Sequence, residues 1–176
     1  MRVISGTLRG RKFNPPSNLP VRPTTDIAKE SLFNILNNHI DFEEVNALDL
    51  FAGTGNISIE LISRGCINVT AIDLNFKCTD FIKKTAIAFN INNLQVIKSN
   101  VFSFLKFANN PYQLIFADPP YDLEGIQKIP DMIFEKNLLA ENGILIIEHS
   151  RDNDFEQHPR FSEKRNYGKV NFSIFK

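Results

Sequence analysis

The sequence predicts an α/β protein built on a largely parallel, seven-stranded sheet with helices on both faces. Between residues 46 and 148, short apolar runs of strand character alternate with segments of helical period, an alternation typical of a parallel sheet. After a Tyr167-Gly168 turn, the apolar residues Val170, Phe172 and Ile174 alternate with polar ones. This tail predicts an antiparallel hairpin that completes the sheet.

The first element along the chain is predicted to be an ordered, basic β-hairpin. Its apolar residues interleave with cations, at Val3, Ile4, Leu8 and Phe13. Either Gly6 or Gly10 is expected at the turn. An ordered hairpin would hold the cations of this arm in fixed positions.

The elements that follow are predicted in a regular order. A helix over residues 26–38, with Thr25 as its N-cap, places these apolar residues on one face: Ala28, Leu32, Ile35 and Leu36. Strands are expected at 46–51, 68–73, 94–99, 112–118 and 143–148. Helices are expected at 56–64, 79–91, 101–108 and 125–140, the last interrupted by Pro130. Ligands of such sheets bind beyond the carboxyl ends of the strands, where the chain places Gly53, Asp73, Asn100 and Asp118.

A glycine loop follows the first strand of the predicted parallel sheet. Gly53 and Gly55 let the backbone turn tightly and approach a ligand. Asp49 lies just before the loop, where its charge repels a pyrophosphate and attracts an ammonium or sulfonium group. The third small position of the dinucleotide pattern is Ser58, so a cationic ligand is favoured over a dinucleotide. Asp73 ends the next strand and can accept hydrogen bonds from both hydroxyls of a ribose.

The segment Asp118-Pro119-Pro120-Tyr121 follows the apolar run 112–117 and is typical of a site for a flat base with an amino group. Its prolines fix the backbone and have no N–H, so local carbonyl oxygens and the Asp118 carboxylate are expected to face outward as acceptors. Tyr121 offers a ring on which a nucleobase can stack. Such a segment can also be an ordinary turn, and it gains weight from its place after the glycine loop and Asp73.

With this ordered set, the chain resembles the class I S-adenosylmethionine-dependent methyltransferases, and Asp118–Tyr121 resembles the motif of those that methylate exocyclic amines. Residues 2–12, 22–26 and 30–36 are similar to the opening of the RsmD-type 16S ribosomal RNA guanine-N2 methyltransferases. The resemblance implies a Rossmann-like fold with an N-terminal β-hairpin extension. It also implies S-adenosylmethionine as methyl donor, no metal, and transfer to the N2 amino group of guanine 966 in the small-subunit RNA.

The resemblance further implies roles for individual residues. The target base and its amino group would be held by Asp118, Pro119, Pro120 and Tyr121. Asp73 would hold the ribose, and Asn100 would accept from the adenine amino group where many members carry Asp. The expected cofactor residues are Arg22, Thr24, Asp49, Phe51, Gly53, Gly55, Asp73, Leu74, Asn100 and Val101. The expected RNA-binding residues are Arg2, Arg9, Arg11 and Lys12.

The composition fits one methyltransferase domain over residues 1–176, with a basic arm at 1–24 and a catalytic core at 25–176. The 176 residues are 43% hydrophobic, and no linker divides them. No long apolar run or leader is present, which favours a cytoplasmic protein without a membrane partner. Cys66 and Cys78 are read as ordinary thiols, and the histidines lack the spacing of metal ligands.

An excess of positive charge lies near the N-terminus although the formal net charge of the chain is zero. Residues 1–30 carry six cations against two acids, so this segment is the expected surface for RNA. The implied partner is 16S ribosomal RNA, within the 30S subunit or an assembly intermediate, and we expect a monomer.

Four alternatives stay open from the sequence. An adenine-N6 methyltransferase carries the same four-residue motif, whereas a protein-glutamine methyltransferase typically has Asn where Asp118 stands. A nicotinamide-dependent oxidoreductase is disfavoured by Asp49 and Ser58. A non-catalytic RNA-binding domain is disfavoured by the intact motif.

Overall fold

The structure, a computed structural model, describes residues 1–17, 19, 26–168 and 170–176. Its strands are β1 (Asn46–Asp49), β2 (Asn68–Asp73), β3 (Leu94–Lys98), β4 (Tyr112–Ala117), β5 (Leu139–His149), β6 (Phe161–Tyr167) and β7 (Val170–Phe175). They form one sheet in the order β3-β2-β1-β4-β5-β7-β6. Strands β1 to β5 pair in parallel, and β7 lies antiparallel between β5 and β6. The predicted sheet and its C-terminal hairpin are confirmed.

The helices within the described residues are α1 (Asp26–Leu36), α2 (Asn56–Ser63), α3 (Phe76–Ala88), α4 (Val101–Phe107) and α5 (Lys128–Glu135). The last prediction, a helix over 125–140 broken by Pro130, was too long. Pro130 lies in the first turn of α5, where its missing N–H has no intrahelical partner to lose. The predicted N-cap Thr25 lies outside the described residues. None of these described helices has the length and apolarity needed to cross a bilayer.

The sheet is covered on both faces because its central strands are apolar on both sides. Alternate residues of a strand point to opposite faces. Leu114 and Phe116 of β4 therefore pack in the cluster that contains α1 and α2, whereas Ile115 and Ala117 pack in the cluster that contains α4 and α5. The end of β4, where Asp118 follows, is thus fixed between two packed layers.

The N-terminal arm, residues 1–13, is ordered and docked against α2. Its antiparallel pairing is a bridge between Arg2 and Lys12 with flanking backbone hydrogen bonds, so the predicted hairpin has no regular strands. The N–H of Thr7 donates to the carbonyl of Ser63 at 2.7 Å. The N–H of Leu8 donates to the hydroxyl of the same serine at 2.9 Å. Backbone contacts of this kind fix the arm independently of its exposed side chains.

A buried carboxylate on α2 accepts the backbone at the start of the arm. Glu60 is fully buried, and its oxygens accept the N–H groups of Ile4 at 2.8 Å and Ser5 at 2.9 Å. The guanidinium of Arg64, one turn along the helix, donates to the same carboxylate at 3.0 Å. The Glu60 carboxylate therefore accepts two backbone N–H groups of the arm, as the carbonyl groups of a neighbouring strand would in a sheet.

The cation that balances Glu60 comes from α1. Lys29 is fully buried, and its Nζ lies 3.1 Å from a Glu60 oxygen. The same ammonium donates to the carbonyl of Arg2 at 2.6 Å and to the side-chain oxygen of Asn56 at 2.9 Å. All three of its protons have acceptors, so the ion pair is fully compensated inside the protein.

The close approach of the arm to α2 can be tested at its glycines. A Cβ at Gly6 would lie 1.7 Å from the carbonyl oxygen of Ser63, whereas a Cβ at Gly10 would meet nothing within 4 Å. Both residues have positive φ, 78° and 83°, so alanine is strained at either position by about 1–2 kcal/mol. We expect Gly6→Ala to lower the free energy of unfolding in urea by about 1–3 kcal/mol more than Gly10→Ala does. Equal losses would contradict the tight packing at Gly6.

Candidate functional site

The glycine loop joins β1 to α2, and its conformation requires glycine at two positions. Gly53 and Gly55 have φ of 53° and 74°. A Cβ at Gly55 would also lie 2.8 Å from the side chain of Ile82 on α3. The second glycine is therefore needed for both its backbone conformation and its packing.

Asp73, the last residue of β2, anchors this loop. Its Oδ2 accepts the N–H of Gly53 at 2.8 Å, and its Oδ1 accepts the N–H of Asn75 at 2.7 Å. Burial raises the pKa of Asp73, and these two hydrogen bonds oppose the rise. Each carboxylate oxygen has a further lone pair, so the predicted ribose acceptor can take up a ligand while it holds the loop.

Asp49 lies beneath the glycine loop. Its side chain is 1% exposed, and the hydroxyl of Ser58 donates to its Oδ2 at 2.6 Å. Burial raises the pKa of Asp49 to about 7; the Ser58 hydrogen bond lowers it, while the charges of Asp118 and Asp73 raise it. Ser58, the departure from the small-residue pattern, is fully buried and is the hydrogen-bond partner of this acid. Asp49 is thus placed to act on a ligand through its charge.

The Asp118–Tyr121 motif leaves β4 at the same edge of the sheet. Asp118 is half-buried and Pro119 is buried, whereas Pro120 and Tyr121 are exposed. The Pro120 carbonyl accepts the N–H of Leu123 at 2.9 Å, which closes a turn. Burial raises the pKa of Asp118 to about 7. A poorly solvated carboxyl therefore lies three residues before an aromatic ring that is 62% exposed.

Glu148, near the end of β5, is a site residue that the sequence prediction missed. Its side chain is 5% exposed. Burial raises its pKa to about 8, with a further contribution from the charge of Asp118. The signal was present in the sequence, because Glu148 follows the apolar run 144–147 as Asp118 follows the run 112–117.

The remaining predicted cofactor residues lie next to these strand ends. Leu74 follows Asp73 and is 63% exposed, and Val101 is buried at the start of α4. Phe51 packs partly buried against the α4 and α5 cluster. Asn100 caps α4, since its side-chain oxygen accepts the N–H of Ser103 at 3.1 Å.

The predicted RNA residues of the arm are all exposed: Arg2, Arg9, Arg11 and Lys12. The Arg11 guanidinium lies 5.1 Å from the centre of the Phe89 ring, which orients it. Lys29, part of the N-terminal charge excess, is buried against Glu60 and adds no charge to that surface. The predicted contacts Arg22 and Thr24 lie outside the described residues.

The carboxyl ends of the adjacent strands β2, β1, β4 and β5 therefore form a strongly acidic region. Its acids are, in that order across the sheet, Asp73, Asp49, Asp118 and Glu148. No group of acids, histidines and cysteines in the described ranges could hold a metal ion. Acids of high pKa at a glycine loop fit a small molecule that carries both positive charge and hydroxyl groups.

Comparison with known proteins identifies the family. The sequence model of the family described as "Conserved hypothetical protein 95" matches residues 1–176. The chain belongs to this family, the RsmD family of methyltransferases. It is 30% identical to Ribosomal RNA small subunit methyltransferase D of Escherichia coli strain K12, over 90% of this chain and 79% of that protein.

Solved structures agree with membership of the RsmD family. The structure of yhhF from Escherichia coli is 28% identical, covers 99% of this chain and 96% of its own, and has a TM-score of 0.88. An RNA methyltransferase from Salinibacter ruber, solved with S-adenosyl-L-homocysteine, shares the fold with a TM-score of 0.69 at 13% identity. That match covers 88% of this chain and 92% of the other. The Rossmann-like fold is confirmed.

The raised pKa of Asp49 makes the stability of the fold depend on pH. In the unfolded chain an Asp loses its proton near pH 4, whereas folded Asp49 keeps its proton to about pH 7. The stability from this group is therefore fully present below about pH 4 and is lost as pH rises through 7. Asp49→Asn keeps an acceptor for Ser58 and has no proton to lose.

The unfolding free energy of Asp49→Asn minus that of the native protein should increase by roughly 1–3 kcal/mol as the pH rises from about 4.5 to 8. Urea unfolding at a series of pH values measures this gain. A difference that does not change with pH would show that Asp49 ionises as readily in the fold as in the unfolded chain.

Proposed function

We propose that this protein methylates the exocyclic N2 amino group of a guanine in 16S ribosomal RNA. The observation that carries the proposal is the Asp118–Tyr121 motif at the end of β4, next to the strand that leads into the glycine loop. The name of the Escherichia coli relative supports small-subunit ribosomal RNA as the class of substrate. Guanine N2, and position 966, are supported by the resemblance of the N-terminal stretches.

S-adenosylmethionine is the proposed methyl donor, and it supplies a methyl group on a positively charged sulfur. The acidic edge of the sheet and the Salinibacter ruber structure of the same fold support this choice. Asp73 would hold the ribose, and the backbone at Gly53 and Gly55 would border the methionine part. Asp49 would attract the cationic part through its charge from beneath the loop, without contact.

The residues of the motif account for activation of the amino group. A guanine N2 is a weak nucleophile because its lone pair is delocalised into the ring. The Asp118 carboxylate and the Pro119 carbonyl would accept hydrogen bonds from N2–H, which favours a pyramidal nitrogen with its lone pair aimed at the methyl group. As the new N–C bond forms and the C–S electron pair returns to sulfur, Asp118 stabilises the positive charge on nitrogen and accepts the released proton.

The magnitudes are adequate for a mechanism that depends on alignment. Positioning can supply about 7–11 kcal/mol of a barrier in favourable cases. Burial raises the pKa of Asp118, which suits a group that must be ionised at the start and protonated at the end. Tyr121 would stack on the base, a contact worth about 1–3 kcal/mol in other nucleic-acid complexes.

The proposed setting is a monomer acting in the cytoplasm on 16S RNA within the 30S subunit or an assembly intermediate. The exposed cations of the arm support contact with RNA phosphates. A stacked or paired guanine must first be exposed, so the target lies in an open loop or is flipped out.

Methyl transfer from labelled S-adenosylmethionine tests the function directly. The acceptors are 30S subunits and free 16S RNA that lack guanine-N2 methylation, and the products are identified by nucleoside analysis. N2-methylguanosine at one position is expected. Label in N6-methyladenosine would establish the adenine alternative instead, and cofactor binding without any label would favour the non-catalytic alternative.

Removing the acceptor at Asp118 should abolish the chemistry but spare the cofactor site. We expect Asp118→Ala to lower kcat by at least about 100- to 1,000-fold, because the developing charge loses its partner. The affinity for S-adenosylmethionine, measured by calorimetry, should stay within a few-fold. Asp122→Ala, an exposed acid four residues on, is the matched control and should be near native. Equal loss of affinity and rate in Asp118→Ala would place this residue in cofactor binding.

The arm should contribute to RNA affinity through phosphate contacts. Replacing Arg9 and Arg11 by alanine should weaken binding and reduce the slope of log K against log salt by about 0.7–0.9 for each lost contact. Filter binding over a range of salt concentrations measures the slope. Arg165→Ala, on the edge strand β6, is the control and should keep the native slope. An unchanged slope in the arm variant would exclude the arm from RNA binding.

A further inference from the structure

Glu148 is a nearly buried acid at the substrate side of the site. Among the described residues, no hydrogen bond or ion pair reaches its carboxyl, although its side chain is 95% shielded from solvent. No fully sealed side-chain oxygen in the described chain lacks a partner, so the Glu148 carboxyl retains some contact with solvent. An acid held in this way destabilises the fold, which is typical of a group that serves a ligand.

The sheet register places Glu148 beside Asp118. Strands β4 and β5 are parallel, with Phe116 opposite Ile146 and Ala117 opposite Ile147. Carrying this register one residue beyond the end of β4 brings Asp118 opposite Glu148, and the charge of Asp118 acts on Glu148.

Continuing the alternation of β4 and β5 puts both acids on the same face of the sheet. Phe116 and Ile146 pack in the cluster with α1 and α2, and residues two positions further along a strand return to the same face. The strand β1, which leads into the glycine loop, lies on the other side of β4. A base whose amino group is held at Asp118 therefore has Glu148 on the side away from the cofactor.

Two adjacent acidic groups match one edge of guanine. Guanine carries N1–H and N2–H donors on neighbouring positions, whereas adenine presents a bare N1 beside its amino group. We propose that Glu148 accepts the N1–H of the target guanine while Asp118 accepts its N2–H. Glu148 then determines base specificity, an assignment that rests on the proposed guanine-N2 function.

The electrostatics agree with this geometry. Burial and the charge of Asp118 raise the pKa of Glu148 in the free protein, and donation from N1–H favours its carboxylate on binding. A base with a bare N1 gives no such compensation, because its lone pair faces the carboxylate and both groups lose hydrogen bonds. A site built around a donor discriminates strongly against an analogue that lacks it.

The test compares a target guanine with 2-aminopurine at the same position of 16S RNA, prepared by ligation and assembled into 30S subunits. 2-Aminopurine keeps the amino group at C2 but has a bare N1. Glu148→Gln keeps the shape of the side chain, and its amide can accept from N1–H or donate to a bare N1. Glu141→Gln is the control, since it lies on the same strand at an exposed position.

The native protein and Glu141→Gln should favour guanine by at least roughly 100-fold in kcat/KM. Glu148→Gln should slow transfer to guanine about 10- to 100-fold. It should also reduce the preference for guanine over 2-aminopurine to less than about 10-fold in kcat/KM. Glu148→Asp keeps the charge and should retain the preference at a reduced rate. Cofactor affinity should stay near native in each variant, and the unfolding temperature of Glu148→Gln should not fall, since a fall in either would report a structural role.

Failure of the Glu148 assignment can be distinguished from failure of the proposed guanine-N2 function. If the native protein makes N2-methylguanosine and Glu148→Gln keeps the full preference for guanine, the assignment of Glu148 is wrong and the proposed function stands. Loss of the preference in Glu148→Asp would also overturn the assignment. If the native protein makes no N2-methylguanosine, both the function and the assignment fail.

Discussion

The buried ion pair between Lys29 and Glu60 is the interaction on which the arrangement of this protein depends. It joins α1 to α2, and the same two side chains hold the backbone of the arm at Arg2, Ile4 and Ser5. Removing one partner of a buried pair typically costs about 3–5 kcal/mol because the other charge is left uncompensated. Since α2 begins at the glycine loop, this pair fixes the basic arm relative to the cofactor end of the sheet.

The second constraint is the concentration of acids at the carboxyl ends of adjacent strands. The order β2, β1, β4, β5 brings Asp73, Asp49, Asp118 and Glu148 to one edge, although up to 99 residues of sequence separate them. Their raised pKa values come first from burial. The fold is less stable for this, and the same desolvation prepares the site for a cationic donor and for hydrogen-bond donors of a base.

Sequence reasoning found the parts of the site that have a local signature. Gly53, Gly55 and the Asp118–Tyr121 motif stand at strand ends that hydrophobic pattern and turn chemistry locate. It found no signal for the hydrogen bond between Ser58 and Asp49. The glycine loop separates these residues, and only the folded conformation of that loop brings their side chains together. Sequence reasoning also counted Lys29 as part of the basic surface, since charge in a sequence carries no record of burial.

The sequence by itself determined the order of strands and helices along the chain, the glycine loop and three of the four acids at the strand ends, because each follows from local periodicity and backbone preference. The tertiary structure decided which of these residues are neighbours. Glu148 becomes a site residue through the register of β5 against β4, and Glu60 becomes the anchor of the arm through contacts 55 and 56 residues apart. Long-range pairing of this kind is set by the packing of the whole sheet and its helices, which no local segment encodes.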